Sequence, residues 1–324
     1  MSGLDRRGML AGLGAALAAP GLPSAAQEPD PTDVAQPIQL LSNLFTRVAA
    51  AVYIDGRGPF TFVIDTGAGS TAIAETLAAR LGLSPAPSLL VHGITEARVA
   101  PGVAVSRLRL SGHGFRNLVC PVFSREQLGA DGLLGLDVLG RFRLRFDVAR
   151  RAASLTLPGM HITMGGDVVL GTRLRHRLRS FRARFGQMIF TQVTADGQSV
   201  AAFIDSGAQY SIGNRALARA VAARRPDGPA TAREVPLYGV TGQSLTADLL
   251  RIDDLRLGAS RLGPTPLLFA DLHCFRTMGL ADRPALLIGA DLLGRFREVT
   301  LDFPSNAIDL VGLRRQTAAV ELLG

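Results

Sequence analysis

Asp65 and Asp205 are the two residues whose surroundings point most directly to chemistry. Each ends an apolar run and is followed by a small hydroxyl residue, a glycine and an alanine: Phe62-Val-Ile-Asp65-Thr66-Gly67-Ala68 and Phe203-Ile-Asp205-Ser206-Gly207-Ala208. An apolar strand fixes where the carboxylate stands. Glycine lets the backbone turn sharply and come close to a partner, and the hydroxyl can be buried once it is hydrogen-bonded. Two such loops meeting about a pseudo-twofold axis would bring two carboxylates together. Like charges that close cannot both ionise, so the pair would share one proton at acidic to mildly acidic pH. The charged member can then take a proton from a water while the neutral member hydrogen-bonds a carbonyl under attack. Such hydrolysis needs no metal, no cofactor and no covalent intermediate.

The elements that must position these aspartates also come in duplicate. Gly135-Leu-Asp137-Val-Leu-Gly-Arg-Phe142 returns as Gly289-Ala-Asp291-Leu-Leu-Gly-Arg-Phe296. Between the markers, His92-Gly93-Ile-Thr95 matches Tyr238-Gly239-Val-Thr241, and Leu108-Arg-Leu110 matches Leu255-Arg-Leu257. Matched segments in one order mean a duplication. The expected lobes are residues 37–160 and 161–324, preceded by a leader at 1–26 and a linker at 27–36. Within each lobe the signals are those of short strands. Val52-Tyr-Ile54 and Phe60 to Ile64 flank Asp55-Gly56, a hairpin pair, and Val193, Asp196-Gly197 and Ala201 to Ile204 repeat it. Short helices are expected over 74–81 before Gly82 and over 215–224 after an Asn214 cap. Leu133-Leu-Gly135 and Leu287-Ile-Gly289 read as buried strands, with Asp137 and Asp291 capping the one-turn helices that follow. Leu144-Arg-Phe146-Asp147 and Val299-Thr-Leu301-Asp302 then begin terminal strands. The fold class is all-β and bilobal, with few and short helices.

Asp65-Thr66-Gly67-Ala68, Asp205-Ser206-Gly207-Ala208 and the hydrophobic segments ending at Gly135 and Gly289 resemble the retropepsin-like and pepsin-like aspartic peptidases. Gly-Leu-Asp-Val-Leu-Gly-Arg-Phe and its second copy look most like bacterial single-chain members built of two retropepsin-like lobes. The resemblance implies that Asp65 and Asp205 are catalytic in an aspartic endopeptidase. It implies that the Thr66 and Ser206 hydroxyls brace the two loops, with Gly67 and Gly207 beside them. It also implies substrate-covering flaps at His92-Gly93 and Tyr238-Gly239. A peptide or protein would bind extended in the inter-lobe cleft, and apolar side chains would be preferred. No cofactor or metal is implied, and a monomer holding an intramolecular pseudo-dimer is expected. The sequence departs from symmetry after the motifs, with Gly69-Ser70-Thr71 in one lobe and Gln209-Tyr210-Ser211 in the other. Bulk beside Asp205 either shapes a pocket or impairs the water site. The rival reading is therefore a catalytically inactive peptide- or envelope-binding protein on the same fold. A third is a one-lobe site completed by homodimerisation.

Composition bounds the remaining classes. The chain has 324 residues, 47% hydrophobic and 19% charged, enough for two cores and too apolar for disorder. Its net charge of +8 rests entirely on arginine, and six arginines fall within residues 171–184. That stripe reads as an anion-binding surface or as a solvated face, and without interleaved aromatics no nucleic acid partner is expected. Asp5-Arg6-Arg7 before the apolar run Met9–Leu22 and Ser24-Ala25-Ala26 reads as a twin-arginine export signal, so a periplasmic or extracellular protein without a membrane span is expected. Cys120 and Cys274 share no motif and are either free thiols or one bridge. His92, His113, His161, His176 and His273 lack metal-ligand spacing. Gly67-Ala-Gly69-Ser-Thr-Ala72 mimics a dinucleotide-binding turn, but Gln209 breaks it in the second lobe and Asp65 would face the phosphates.

Overall fold

The computed structural model describes residues 16–17, 48–93, 96–148, 150, 152–157, 175–182, 188–225, 233–238 and 244–314. The linker at 27–36, Gly239, both ends of the arginine stripe and nearly all of the leader lie outside them.

Both lobes are six-stranded closed barrels with the same strand order. In the first, the strands Ala49–Ile54, Arg57–Ile64, Gly132–Leu134, Ala72–Ala74, His113–Phe123 and Ala97–Leu110 follow one another around the wall. Val52 opposite Leu110 and Ile54 opposite Leu108 close it. In the second, Met188–Ala195, Gln198–Ile204, Ala285–Ile288, Ile212–Gly213, Ser260–Phe269 and Ser244–Leu257 do the same, closed by Val193 opposite Leu257. Closure removes the strand edges that an open sheet would leave exposed. The duplicated sequence thus gives a duplicated topology.

Local chemistry explains the corners. Asp55 and Gly56 sit at φ 48° and 81°, and Asp196 and Gly197 at 47° and 76°, the left-handed pairs that a two-residue hairpin demands. The first helix is Glu75–Leu81, ended by Gly82 at φ 63°. The second is Arg215–Ala222, shorter than expected, and the Asn214 side chain accepts its cap hydrogen bond from the Leu217 N–H at 2.9 Å. Gly135 and Gly289 hold the N-cap positions of the one-turn helices. Asp137 and Asp291 sit in the first turn, where each Oδ1 accepts a helix N–H, from Val138 at 2.9 Å and Leu292 at 2.8 Å, while also turning toward the aspartate loops.

Each barrel extends into a hairpin and into a shared sheet. Pro85–His92 folds onto Ala97–Leu110, and Arg233–Tyr238 onto Ser244–Leu257, so each lobe projects one long hairpin. The outer edge of Arg233–Tyr238 also pairs with Ala16–Leu17. Those two residues therefore belong to a sheet, although the sequence reading leaves 1–26 out of the fold; an unpaired strand edge offers free N–H and C=O groups to any apolar segment within reach. Beneath both barrels runs a five-stranded sheet, Ala152–Thr156, Arg143–Asp147, Phe296–Asp302, Ala307–Leu313 and Arg175–Arg179. Arg143–Asp147 and Phe296–Asp302 come from opposite lobes, with Leu144 opposite Leu301 and Phe146 opposite Val299. Their buried side chains join Phe142, Phe296 and Phe303 in one core spanning both lobes. Arg145 to Glu298 at 2.6 Å and Arg143 to the buried Asp309 at 3.1 Å add inter-lobe ion pairs. This shared core sets the two aspartate loops face to face. Among the described residues, no helix is long and apolar enough to cross a membrane.

Candidate active site

Asp65 follows directly on Arg57–Ile64, and its N–H donates to the Leu134 carbonyl at 3.1 Å; Asp205 follows Gln198–Ile204 and donates to Ile288 at 3.0 Å. In each lobe the aspartate therefore leaves the barrel wall beside the hydrophobic-Gly strand, as the repeated segments suggest. Within each loop, one carboxylate oxygen gathers two backbone donors. Asp65 Oδ1 accepts from Gly67 N–H at 2.9 Å and Ala68 N–H at 3.2 Å. Asp205 Oδ1 accepts from Gly207 at 2.8 Å and Ala208 at 3.1 Å.

Thr66 and Ser206 lock the loops to each other, and both are buried. The Thr66 N–H donates to Ser206 Oγ at 3.1 Å and the Ser206 N–H to Thr66 Oγ1 at 2.9 Å. The hydroxyls continue across the axis, Thr66 Oγ1 to the Ile204 carbonyl and Ser206 Oγ to the Ile64 carbonyl, each at 3.3 Å. Every polar atom of this crossing finds a partner, the condition for burying it at all. The glycines are there for space. Neither has a left-handed φ, but a Cβ on Gly67 would stand 2.4 Å from Asp205 Cγ, and one on Gly207 would stand 2.9 Å from Asp65 Oδ1. Each carboxylate lies against the other loop's glycine.

A second tier braces the loops from behind. Thr71 donates its N–H and its hydroxyl to Asp137 Oδ1 at 2.9 and 2.7 Å, while Gly135 N–H donates to Thr71 Oγ1 at 3.1 Å. In the second lobe, Ser211 donates to Asp291 Oδ1 at 2.6 Å and Gly289 N–H to Ser211 Oγ at 2.9 Å. Asp137 and Asp291 are thus braces, a role set by contacts about 65 and 80 residues away along the chain.

Electrostatics separates the pair of aspartates from ordinary carboxylates. Asp65 and Asp205 are 3% and 4% exposed. Burial pushes Asp65 up to about 6, against the pull of the Gly67 and Ala68 amides. Burial, and then the charge of Asp65, push Asp205 well above the usual carboxylate range. The two carboxyls titrate as a pair that gives up its protons in two steps, the second well above the usual carboxylate range. Burial also raises the Asp137 and Asp291 carboxyls. Among the described residues, no group of three or more His, Cys, Asp or Glu is placed to hold a metal ion.

The aspartates lie at the base of a cleft of about 160 Å³ between the lobes. His92 and Gly93, at the end of the first hairpin, line it, as do Leu89 and Leu90. Tyr238 closes the equivalent strand of the second hairpin, opposite Ser244. Gly69 and Ser70 border the cleft, whereas Tyr210 packs into the second-lobe core with Phe203 and Phe275. The bulk beside Asp205 thus serves packing. The sequence reading misses the helix His273–Thr277, whose Cys274 and Thr277 form part of the far wall with Met278. Its N-cap, Leu272, makes no side-chain cap, so nothing local announces it. The opposite wall uses Gln127 of Arg125–Leu128, whose Ser124–Gln127 capping box was a readable signal. Both cysteines are free and buried. Burial and the charge of Asp137 push the Cys120 thiol up to about 12; burial and Asp205 push Cys274 further.

A bilobal all-β fold with mirrored, interlocked Asp-Thr/Ser-Gly loops defines an aspartic-protease architecture. The aspartyl protease family model matches residues 50–138 and again 191–292, one match per barrel, and the chain belongs to that family. Among solved structures it is similar to a retropepsin-like aspartic protease from Rickettsia conorii, at 14% identity and a TM-score of 0.29, over 43% of this chain and 92% of that one. None of the curated proteins matches the chain.

Proposed function

We propose that the chain is an aspartic endopeptidase in which Asp65 and Asp205 activate one water against a peptide carbonyl. The observation that supports this most is the reciprocal lock of Thr66 and Ser206, which holds two buried carboxyls against each other's loops under an open cleft. Over the interval between the two ionisations the pair holds one proton. The charged member of the pair takes a proton from the water. The protonated member donates a hydrogen bond to the carbonyl oxygen as the tetrahedral centre forms, and the proton taken from the water passes on to the leaving amine. An extended peptide would lie along the hairpins, pairing its backbone with strand edges and placing alternate side chains in wall pockets. The chain would work as a monomer, since both loops come from one polypeptide.

The test is cleavage of a mixed peptide library by residues 27–324 between pH 3 and 7, beside Asp65→Asn and Asp205→Asn, with products read by mass spectrometry. Either substitution is expected to lower kcat/KM by about 10²–10⁴-fold. A folded protein that cleaves nothing at any pH would move the reading to a peptide-binding protein on the same fold.

A further inference from the structure

A pair of histidines bridges the first-lobe hairpin and the far cleft wall. His92 ends Pro85–His92, and His273 opens the helix His273–Thr277 of the second lobe. Their rings are nearly parallel, 9° apart with centroids at 5.2 Å, and His92 Nδ1 meets His273 Nε2 at 2.9 Å. They lie 181 residues apart in sequence and join the two sides of the cleft that holds Asp65 and Asp205.

Such a contact depends on proton count. One ring nitrogen must donate and the other accept, which is satisfied when the pair carries no extra proton, or one extra proton on the donor ring. With both rings protonated, two N–H groups point at each other and two like charges face across a few ångströms. We propose that His92 and His273 form a proton-released clamp, which holds the hairpin down on the second lobe near neutral pH and frees it when both rings are protonated. The proposal rests on reading the cleft as the peptide site.

The charges around the pair set its direction. Facing His273 are His92 and Glu96 from the hairpin and Arg276 from its own helix; Arg98 of the hairpin lines the same cleft. Burial, and then the positive charges of His92 and Arg276, hold His273 below its ordinary range, with Glu96 opposing. The clamped state therefore binds fewer protons than the open one, and its share rises with pH.

The experiment measures the hairpin and not turnover. The chain carrying Asp65→Asn receives spin labels at Val99→Cys, an exposed hairpin position, and at Asp282→Cys on the second lobe; the native cysteines are buried. Pulsed electron resonance at pH 7.5 is expected to give one narrow distance. At pH 5 a longer, broader population should dominate, the ratio changing by up to about tenfold per pH unit. With His92→Gln and His273→Gln added, the distribution should be the same at both pH values. A wild-type distribution indifferent to pH, or a pH response surviving in the double variant, would overturn the clamp. Failure of all cleavage in the active chain would remove the peptidase reading and leave this measurement intact.

Discussion

The two lobes agree where they face the axis and differ where they face the cleft. Around the aspartates, each hydrogen bond of one loop has its counterpart in the other, down to the braces from Thr71 and Ser211. The walls diverge: Gly69 and Ser70 border the cleft where the matching Tyr210 packs into the core, Gln127 stands against Cys274 and Met278, and His92 ends the hairpin strand where the other lobe has Tyr238. A catalytic pair demands two matched carboxylates, whereas a peptide is directional and meets the two walls with different side chains. Duplication supplied the symmetric part, and divergence of the walls supplied the asymmetry an extended ligand requires.

Alanine at the two glycines tests how nearly equal the loops are. A Cβ at Gly67 would stand 2.4–2.5 Å from three atoms of the Asp205 carboxyl, too close to remain, so that carboxyl must leave its position. At Gly207 the corresponding distances to Asp65 are 2.9–3.0 Å, a clash that a few tenths of an ångström relieve. Gly67→Ala is expected to remove activity and about 3 kcal/mol of stability, and Gly207→Ala about 1 kcal/mol, with residual turnover. Urea unfolding followed by circular dichroism gives the ranking. Equal losses would mean that the loops adjust as one body.

The proton count of the pair gives the next effect. Asp65 and Asp205 ionise higher in the folded state than their usual values, so the folded protein binds more protons than the unfolded chain from about pH 4 upward. Their contribution favours the folded state at acid pH and is lost as pH rises through about 6. Asp137 and Asp291 push in the same direction. Stability should fall by on the order of 2 kcal/mol between pH 4.5 and 7 from the pair alone. Asp205→Asn should remove a larger part of that slope than Asp137→Asn does, since Asp205 alone also faces a second buried carboxylate. Thermal unfolding across the pH series measures both.

What could be read in the sequence was local or repeated. The aspartate loops, the Asp55-Gly56 and Asp196-Gly197 turns and the Asn214 cap are decided by residues within a few positions, and duplication confirms the loops and the turns. The barrel closures, Val52 to Leu110 and Val193 to Leu257, were beyond reach because strand propensity names strands and not their partners. Asp137 and Asp291 were read only in part for a related reason. Their position in a first helical turn suits the capping bonds they make to Val138 and Leu292, but their bracing of Thr71 and Ser211 depends on tertiary approach. The His92–His273 bridge joins a strand end to an uncapped helix, two features without a shared local pattern.

The smallest predicted difference concerns the crossing hydroxyls. Thr66→Val keeps the shape of the side chain but leaves the Ser206 N–H, now buried, without its acceptor. Ser206→Ala leaves the Thr66 N–H in the same state. Each loss is expected to cost about 1–3 kcal/mol. The Val variant should be the milder by about 0.5–1 kcal/mol, because it also leaves no cavity. Pairing the two substitutions is the sharper measurement. If the hydroxyls act as one lock, the double variant costs less than the sum of the single ones, since the Thr66 Oγ1–Ser206 Oγ hydrogen bond at 3.2 Å is already lost in either single variant. Additive losses would mean that each loop is held by its own lobe, and that the inter-lobe sheet alone keeps Asp65 and Asp205 together.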